Sequence, residues 1–409
     1  MEDQPYLTAQ EAADALGISL TSLYAYVSRG LIHSEPLDQG KRTKRYRAED
    51  VQKLKERQEQ RRNPTKAVAG ALHWGAPLLE SALTLIADNQ FYYRGYDALH
   101  LAQNYSVEQV AALIWTGMLP NEAPALFAEA GGRLPARCLA LQPHLVGVPA
   151  IESFQALLPL AAGEDLTAYD FRPAAVAQTG AHILRMLTAI ATGQADAMAG
   201  VAETLQRQWA PQTPAALGLI RQALILCADH ELNVSSFTAR CVASARATPY
   251  QVVLAGLAAL QGVRHGRVSE RVEVFLREVG HPAQAKAAVL GRLKRGETIP
   301  GFGHPLYPAG DPRGRVLLAT AAAAYPDSAA VALATAINDT MREVRQEHPT
   351  IDFGLVTLAQ VLGLPPQGPI TLFALGRTIG WIGHAIEQYG LEPIIRPRAH
   401  YTGPPIRPK

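Results

Sequence analysis

The sequence predicts an all-α protein in which a two-domain helical body follows a small winged helix-turn-helix domain. From about residue 65 the 409-residue chain is rich in Ala and Leu, and apolar residues recur at helical spacing. Gly or Pro stands at most joins between these segments, as is typical of helix ends. Alternating patterns typical of strands are scarce. One such pattern, over residues 83–93, favours a short hairpin.

The composition is that of an ordinary globular protein, with 48% hydrophobic and 18% charged residues. A net charge of +2 indicates no particular class of partner. Cys138, Cys227 and Cys241 lack CxxC spacing, which favours a reducing compartment and argues against a zinc site or a disulfide framework. The first residues resemble neither a signal peptide nor a transit peptide, and no run of 18 apolar residues occurs. We therefore expect a cytoplasmic protein that needs no metal or redox cofactor.

The helices of the body follow from apolar periodicity and its Gly and Pro punctuation. We predict them near residues 78–87, 106–116, 174–192, 214–229, 234–246, 249–262, 268–279, 282–294, 314–324, 327–345, 353–363 and 369–388. The first of these overlaps the possible hairpin, so both interpretations of that segment stay open.

The N-terminal segment has its own pattern, of two short helices followed by a basic stretch. Thr8 and Glu11 form a capping box that begins the first helix, and Gly17 ends it. The second helix is predicted over residues 19–29. Residues 41–62 then hold ten Lys and Arg against four Asp and Glu, and a third helix begins near residue 49.

This layout resembles the winged-helix heads of mercury-resistance-type regulators and phage excisionases. The shared features are the spacing of Ala12, Leu16, Gly17 and Leu23, and the wing exit Arg45-Tyr46 followed by Asp50-Val51. The resemblance implies that the second helix enters the DNA major groove and that the wing contacts phosphates. The groove-facing residues would be Thr21, Ser22, Tyr24 and Arg29, and the phosphate-facing residues Lys41, Arg42, Lys44 and Arg45. A solvated charged face on a docking module is the alternative.

In the body, His304 lies in a loop that reads Pro-Gly-Phe-Gly-His-Pro over residues 300–305. Its glycines allow the backbone to approach a ligand closely and leave N–H groups for anionic oxygens. Arg313 follows nine residues later, after Asp311. An imidazole and a guanidinium at this spacing would hold the keto group and a carboxylate of one small acid. A surface turn is the alternative interpretation.

Several further polar residues are candidates for the same site. His230 and Asn233 are spaced to share a helix face, and Val234 stands where an HExxH zinc motif needs His. His265 lies between two predicted helices. Asp352 stands just before a helix, where the helix dipole favours its ionised form, although a plain N-cap is the alternative.

The C-terminal part of the chain contributes two arginines. Arg377 shares one helix face with Trp381, His384 and Gln388, since their offsets are four, seven and eleven. Arg396 lies in the tail, where an exposed position is the simpler interpretation.

Six short blocks resemble citrate synthases, in the order and with gaps similar to those of that family. They are GFGH with DPR at residues 301–304 and 311–313, ADHE-x-N at 228–233, G-x-x-HG at 262–266, IDF at 351–353, R-T-x-GW-x-x-H-x-x-E at 377–387, and RPR-x-x-YTG at 396–403. The resemblance covers residues 75–403. It implies a large domain at residues 65–265 and 371–409, and a small domain at 266–370, after a head at 1–64.

The resemblance also implies a reaction, the condensation of acetyl-CoA or another short acyl-CoA with oxaloacetate to give citrate or methylcitrate. Asp352 resembles the base, His265 the donor to the thioester oxygen and His304 the residue that polarises the ketone. His230, Arg313 and Arg377 resemble oxaloacetate-binding residues. Arg396 resembles an arginine supplied by a neighbouring subunit, which implies at least a homodimer.

The acyl-CoA half of the pattern departs from the family. After His265 the family usually continues Gly-Gly-Ala-Asn-Glu, whereas residues 266–270 read Gly-Arg-Val-Ser-Glu, and no basic residue lies between His304 and Asp311. Candidates to replace the missing charge are Arg264, Arg267, Lys294 and Arg295. Two hypotheses therefore remain: an active condensing enzyme, or a DNA-binding regulator whose body senses a metabolite.

Overall fold

The computed structural model describes residues 6–29, 31–36, 44–48, 50, 51, 54, 79–122, 124–129, 131–197 and 199–405. The chain divides into two compact units, Met1–Glu80 and Ser81–Lys409. The predicted boundary at residue 64 lies outside the described residues, as do Lys41 and Arg42.

The N-terminal unit contains the predicted helix, turn and helix, at Ala9–Leu16 and Leu20–Ser28. The Thr8 capping box is present, and Gly17 adopts a left-handed φ of 63° that ends the first helix. A three-stranded antiparallel sheet places Lys44–Arg47 between Tyr6–Leu7 and Ser34–Pro36. The described residues that follow the sheet, 48, 50, 51 and 54, are helical. A small apolar core joins the helices to the sheet, built from Ala12, Ala13, Leu16, Leu23, Ile32, Tyr46 and Val51.

The body begins with a β-hairpin, so the predicted helix near residues 78–87 is wrong and the hairpin interpretation is confirmed. Thr84–Ala87 pairs antiparallel with Gln90–Tyr93, and Tyr96–Asp97 adds a third strand. The two turn residues, Asp88 and Asn89, have φ values of 51° and 59°. Positive φ at both positions is the geometry of a type I′ turn, which matches the twist of a hairpin.

Helices form the rest of the body, which confirms the all-α prediction. The described α-helices are Ala98–Asn104, Val107–Thr116, Ala125–Glu129, Ala136–Leu141, Ala150–Ala162, Pro173–Thr192, Val201–Trp209, Ala216–Cys227, Val234–Ser244, Pro249–Leu260, Val268–Val279, Ala285–Lys294, Pro312–Ala324, Ala329–Arg345, Ile351–Leu362 and Gly368–Tyr389. Apolar periodicity did not predict Ala150–Ala162, which contains Pro159, or several shorter helices between residues 98 and 209. Among the described helices, none has the length and apolarity to cross a membrane.

Two apolar cores organise the body. The larger surrounds the last helix, Gly368–Tyr389, which is buried along nearly its whole length. The smaller draws on Val268–Val279, Ala285–Lys294 and Ala329–Arg345. Pro312–Ala324 and Ile351–Leu362 contribute side chains to both cores. Candidate residues at the start of these two helices therefore lie where the cores meet. The predicted domain limits at residues 266 and 370 stay a prediction.

Candidate active site

The loop that carries His304 is fastened to the segment that leads into Asp352. Phe302 forms an isolated bridge with Pro349, and the Thr350 N–H donates to the Gly301 carbonyl at 2.8 Å. Gly301 has a φ of 82°, and a Cβ there would meet Val272 at 2.8 Å. Both the backbone conformation and the packing therefore require glycine at position 301. The pairing of residues 301–302 with 349–350 brings the His304 loop beside the segment that precedes Asp352.

His304 is arranged as a neutral hydrogen-bond donor. Its Nδ1 accepts the Leu306 N–H at 3.2 Å. Burial, aided by the charge of Arg313, lowers the pKa of His304 to about 4. A neutral imidazole whose Nδ1 accepts a hydrogen bond carries its proton on Nε2. That N–H is the group needed to polarise a carbonyl oxygen.

Tyr307 is a site residue that the sequence analysis missed. Its ring is buried, and its hydroxyl lies 2.8 Å from His230 Nε2. Ring centroids of His304 lie 5.3 Å from His230 and 5.1 Å from Tyr307, so the three rings pack together. The sequence signal was available: an aromatic residue in the middle of a Gly- and Pro-rich loop between two candidate ligands.

His230 lies in the connection between helices rather than on one, so the predicted shared helix face with Asn233 is wrong. Asn233 instead caps Val234–Ser244, where its side chain accepts the N–H groups of Ser235 and Ser236. Burial, with the nearby charge of Arg313, holds the pKa of His230 well below its usual value. His230 is therefore a neutral member of the site at physiological pH.

Arg313 is buried and held in place by Asp311. Its Nε and Nη2 each donate to Asp311 at 2.9 Å, a bidentate pair. Asp311 also accepts the Ile351 N–H at 3.1 Å, which ties the pair to the helix carrying Asp352. Burial alone raises the pKa of Asp311, but the guanidinium outweighs this and holds the pKa below its usual range.

Arg377 has a buried guanidinium nitrogen that a bound ligand could accept a hydrogen bond from. The side chain is 1% exposed, and its Nε donates to the Cys227 carbonyl at 2.8 Å. Its Nη2 is buried with no hydrogen-bond partner among the described residues. An unsatisfied buried cationic donor is costly, and a bound carboxylate would satisfy it.

Asp352 lies inside the first turn of Ile351–Leu362, with Thr350 at the N-cap, so the interpretation of Asp352 as a plain N-cap is wrong. Its side chain keeps partial solvent access. The surrounding protein nevertheless desolvates the carboxyl, and this burial raises the pKa of Asp352 to about 7 against the lowering effect of Arg313. The sequence had indicated the opposite direction from the helix dipole. Desolvation exceeds that local effect.

His265 lies in the turn before Val268–Val279 and is held by Ser235 of Val234–Ser244. Its Nε2 lies 2.9 Å from Ser235 Oγ, which also accepts the Trp381 indole N–H at 3.3 Å. Burial lowers the pKa of His265 to about 4. A Cβ on Gly266 would lie 2.5 Å from the Leu260 carbonyl, so glycine is needed for this turn.

Six of the predicted residues are linked by the charges of two buried arginines: His230, His265, His304, Arg313, Asp352 and Arg377. The charge of Arg377 acts on the carboxyl and on two of the imidazoles, and that of Arg313 acts on the same carboxyl. Arg396 is separate, because it lies exposed on the C-terminal tail. Its predicted position in a neighbouring subunit's site stays a prediction.

Two protein-family models match the chain. A family model described as "Citrate synthase, C-terminal domain" matches residues 71–398. The chain belongs to the citrate synthase family. It is an enzyme of the citrate synthase type, and a second family model, "Helix-turn-helix domain", matches residues 6–59 of its head.

Similar proteins include both citrate synthases and 2-methylcitrate synthases. The chain is 29% identical to Citrate synthase 2 of Bacillus subtilis, over 81% of this chain and 95% of that one. It is 28% identical to 2-methylcitrate synthase of Shewanella oneidensis, over 83% and 96%. A solved citrate synthase from Thermoplasma acidophilum, in a ternary complex with carboxymethyl coenzyme A and oxaloacetate, shares the fold with a TM-score of 0.72 at 22% identity, over 82% and 96%.

In this citrate synthase homologue, the basic residues suggested for the acyl-CoA side differ in whether they form ion pairs with the protein's own glutamates. Arg267 lies 3.9 Å from Glu152 and 3.8 Å from Glu270, and Arg295 pairs with Glu297 at 2.5 Å. Arg264 and Lys294 are exposed. A cavity of about 310 Å³ adjoins the loop before His304. Its lining combines apolar and charged side chains, among them Leu293, Ile299, Phe302, Met341, Arg345 and Glu347.

In the head, the second helix presents the predicted DNA-facing residues to solvent. Tyr24 is 52% exposed, Thr21 and Arg29 are exposed, and Ser22 is partly exposed. On the wing Lys44 is exposed. Arg45, in contrast, donates to Glu35 at 3.1 Å and stacks over the Tyr6 ring at 4.1 Å. Arg45 thus already has partners that join the three strands of the sheet.

Proposed function

We propose that this enzyme condenses a short acyl-CoA with oxaloacetate to form citrate or 2-methylcitrate and CoA. The observation that supports the proposal is the grouping of one carboxyl of raised pKa, Asp352, with three imidazoles of lowered pKa and two buried arginines. This combination supplies a base, neutral donors and carboxylate-binding cations in one site. Acyl-CoA enters as a co-substrate.

The oxaloacetate half uses the arginines and two imidazoles. Arg313 and Arg377 bind the carboxylates, since a guanidinium matches a carboxylate in charge and in planar geometry. The His304 Nε2–H donates to the ketone oxygen. His230, fixed beside Tyr307, completes the pocket. Arg396, on its exposed tail, completes the pocket of a second subunit, so the active form is at least a dimer.

The carbon–carbon bond forms after proton removal from the acyl-CoA. Asp352 takes a proton from the carbon next to the thioester, and His265 donates to the oxygen as the enol forms. That carbon then attacks the ketone of oxaloacetate, whose oxygen is polarised by His304. Hydrolysis of the thioester by water releases CoA. Oriented donors are needed because a thioester α-proton is far less acidic than Asp352, and such donors supply several kcal/mol.

The hydrogen bonds around Ser235 hold the His265 ring in place. Ser235 Oγ donates its single proton to Asn233 Oδ1 at 2.8 Å and accepts the Trp381 indole N–H at 3.3 Å. These two contacts fix the hydroxyl oxygen that lies 2.9 Å from His265 Nε2. His265 is thereby positioned for its role at the thioester oxygen.

The acyl-CoA half uses the cavity beside the His304 loop. Its apolar lining, with Phe302 and Met341, suits a planar base. Arg345 is 54% exposed at this cavity and is bound only to Glu347 among the described residues, so it is placed to contact a phosphate group. Arg345 thereby supplies a charge that the stretch between His304 and Asp311 lacks. Arg267 is a weaker candidate because two glutamates already surround it.

A thiol-release assay tests the proposal directly. With oxaloacetate present, we expect acetyl-CoA or propionyl-CoA to release free CoA, and with oxaloacetate omitted we expect release to fall to background. The product is identified by mass spectrometry as citrate or 2-methylcitrate. Thermal stabilisation by oxaloacetate with no turnover of either thioester would instead favour the metabolite-sensing regulator.

A second function, DNA binding, is proposed for the head. It is supported by the exposed face of Leu20–Ser28, where Thr21 and Tyr24 stand one turn apart while Leu23 faces the core. A helix that follows a tight turn and presents such a face suits the major groove.

The salt dependence of duplex binding tests this second function. We expect the full-length chain to bind a mixed-sequence DNA duplex more weakly as salt rises from 50 to 200 mM, because phosphate contacts release counterions. Fluorescence anisotropy measures the affinity. Tyr24→Ala is expected to weaken binding, whereas Asp14→Ala, on the first helix, is the control that leaves it unchanged. Equal affinity of wild type and Tyr24→Ala would remove this face as the contact surface.

A further inference from the structure

Asn89, in the turn of the hairpin that begins the body, is hydrogen-bonded to the loop that follows His304. Asn89 Nδ2 donates to the Gly310 carbonyl at 2.9 Å, and the Ala309 N–H donates to Asn89 Oδ1 at 3.1 Å. One amide side chain thus satisfies both a backbone acceptor and a backbone donor. These two hydrogen bonds are called the Asn89 clasp below.

The clasp connects parts of the body that are anchored in different cores. On the hairpin, Leu83, Phe91 and Tyr93 belong to the larger core. Just before the loop that Asn89 contacts, Ile299 belongs to the smaller core and Phe302 packs against that core. A hydrogen-bonded link between the two anchorages restrains how the loop between them can move.

The loop that Asn89 contacts carries two residues of the proposed oxaloacetate pocket, His304 and Tyr307. Within it, the Tyr307 N–H donates to the His304 carbonyl at 3.0 Å, and the Gly310 N–H donates to the Tyr307 carbonyl at 2.9 Å. These turns are local to the loop. The clasp holds the loop from outside, next to the point where it enters the Asp311–Arg313 pair.

We propose that Asn89 is a positioning residue that holds the loop of residues 304–311 in the conformation that binds oxaloacetate. The inference rests on the proposed function for its ligand. Asn suits the position twice: it tolerates a φ of 59°, and its amide offers a donor and an acceptor together. Asp88, its neighbour in the turn, has the same left-handed backbone but an exposed side chain outside the clasp.

This difference gives a matched pair of variants in the full-length chain. Asn89→Gly and Asp88→Gly both place glycine at a positive φ, where it is tolerated, so the hairpin turn is kept in each. Asn89→Gly alone removes the clasp. If the loop then occupies its binding conformation for a smaller fraction of time, apparent affinity falls by that fraction. Loss of two hydrogen bonds corresponds to about a tenfold weakening.

We expect the Kd of oxaloacetate by calorimetry, and its KM, to rise about tenfold in Asn89→Gly and to stay within about twofold in Asp88→Gly. kcat at saturating oxaloacetate should be unchanged in both, because the occupied loop has the same conformation. Asn89→Asp, which keeps the acceptor for Ala309 but loses the donor, should give an intermediate value.

Hydrogen–deuterium exchange of the free protein gives a readout that needs no ligand. A peptide covering residues 305–311 should exchange faster in Asn89→Gly than in wild type or Asp88→Gly, since the Ala309 N–H loses its acceptor. Unchanged exchange in Asn89→Gly, or an equal change in both glycine variants, would overturn the proposal. A wild type that turns over no acyl-CoA refutes the proposed reaction, and the exchange result still decides the role of Asn89.

Discussion

Replacing Asp352 by Asn is expected to lower kcat for condensation by about a thousandfold, while the Kd of oxaloacetate changes by less than about twofold. Asn has almost the same shape but cannot accept the proton, and a positioned general base contributes about 10²–10⁴ in rate. The thiol-release assay gives kcat and calorimetry gives the Kd. Turnover equal to that of the wild type would eliminate Asp352 as the base.

The pH profile offers an independent check on the same residue. Because burial raises the pKa of Asp352 to about 7, the base form accumulates as pH rises through neutrality. We expect kcat/KM for acyl-CoA to fall about tenfold per pH unit below 7 and to level off above it. The pKa values of His265 and His304, both about 4, place their titration outside this range.

The stability of the same variant should change in the opposite direction to its activity. The pKa of Asp352 is raised on folding from the ordinary value of 3.8 to about 7, so the neutral carboxyl favours the folded state. That contribution is fully present below pH 3.8 and is lost as pH rises to about 7. At pH 8 the ionised carboxyl therefore costs stability, up to roughly 4 kcal/mol and less with partial solvent access.

Asp352→Asn removes this cost, and we expect a gain of about 1–2 kcal/mol at pH 8 that is smaller at pH 5. Thermal unfolding of both proteins at the two pH values measures it. A variant less stable than wild type at pH 8 would show that the carboxyl is not desolvated in the folded state.

The sequence predicted the residues of the candidate site because they lie in short motifs whose residue types are readable without a structure. The Gly-bracketed His304, the Asp311–Arg313 pair and Asp352 were all placed from local patterns, and the structure brings them together. The direction of the Asp352 pKa was not predictable in this way. A helix terminus is a local feature, whereas desolvation depends on side chains packed from elsewhere in the chain.

The hairpin and the contacts of Tyr307 and Arg45 could not be predicted from local patterns, for similar physical reasons. Residues 83–87 form a short apolar run, which fits a helix or a strand equally well, and the turn lacks the Asn-Gly or Asp-Gly pair that marks a hairpin. Tyr307 has an ordinary residue type, and its role depends on contact with His230 from a distant segment. The assignment of Arg45 to phosphate came from its charge and the resemblance to winged-helix heads, and it stays a prediction. Its partner Glu35 and the ring of Tyr6 are neighbours only across the folded sheet, so the sequence did not indicate them.

Arg377→Met is expected to weaken oxaloacetate binding by at least about a hundredfold, because truncating one partner of a buried charge pair costs about 2–5 kcal/mol. Stability without ligand should fall by less than in Arg240→Met, even though the buried Asp229 carboxylate loses part of its compensating charge. Methionine removes the buried Nη2 that lacks a partner among the described residues, and this gain offsets the loss of the hydrogen bond to Cys227.

Arg240→Met is the matched control, because Arg240 is equally buried but already pairs with two other side chains. It donates to Gln388 at 2.9 Å and to Glu387 at 3.2 Å, both on the last helix. Its loss leaves Glu387 with weaker compensation and should cost about 3 kcal/mol of stability, with oxaloacetate affinity unchanged in the folded protein. Calorimetry and thermal unfolding separate the two patterns. If Arg377→Met destabilised the free protein as strongly as Arg240→Met and left the Kd unchanged, Arg377 would be a structural arginine. The carboxylate pocket would then have to rest on Arg313 and on the Arg396 proposed to come from a second subunit.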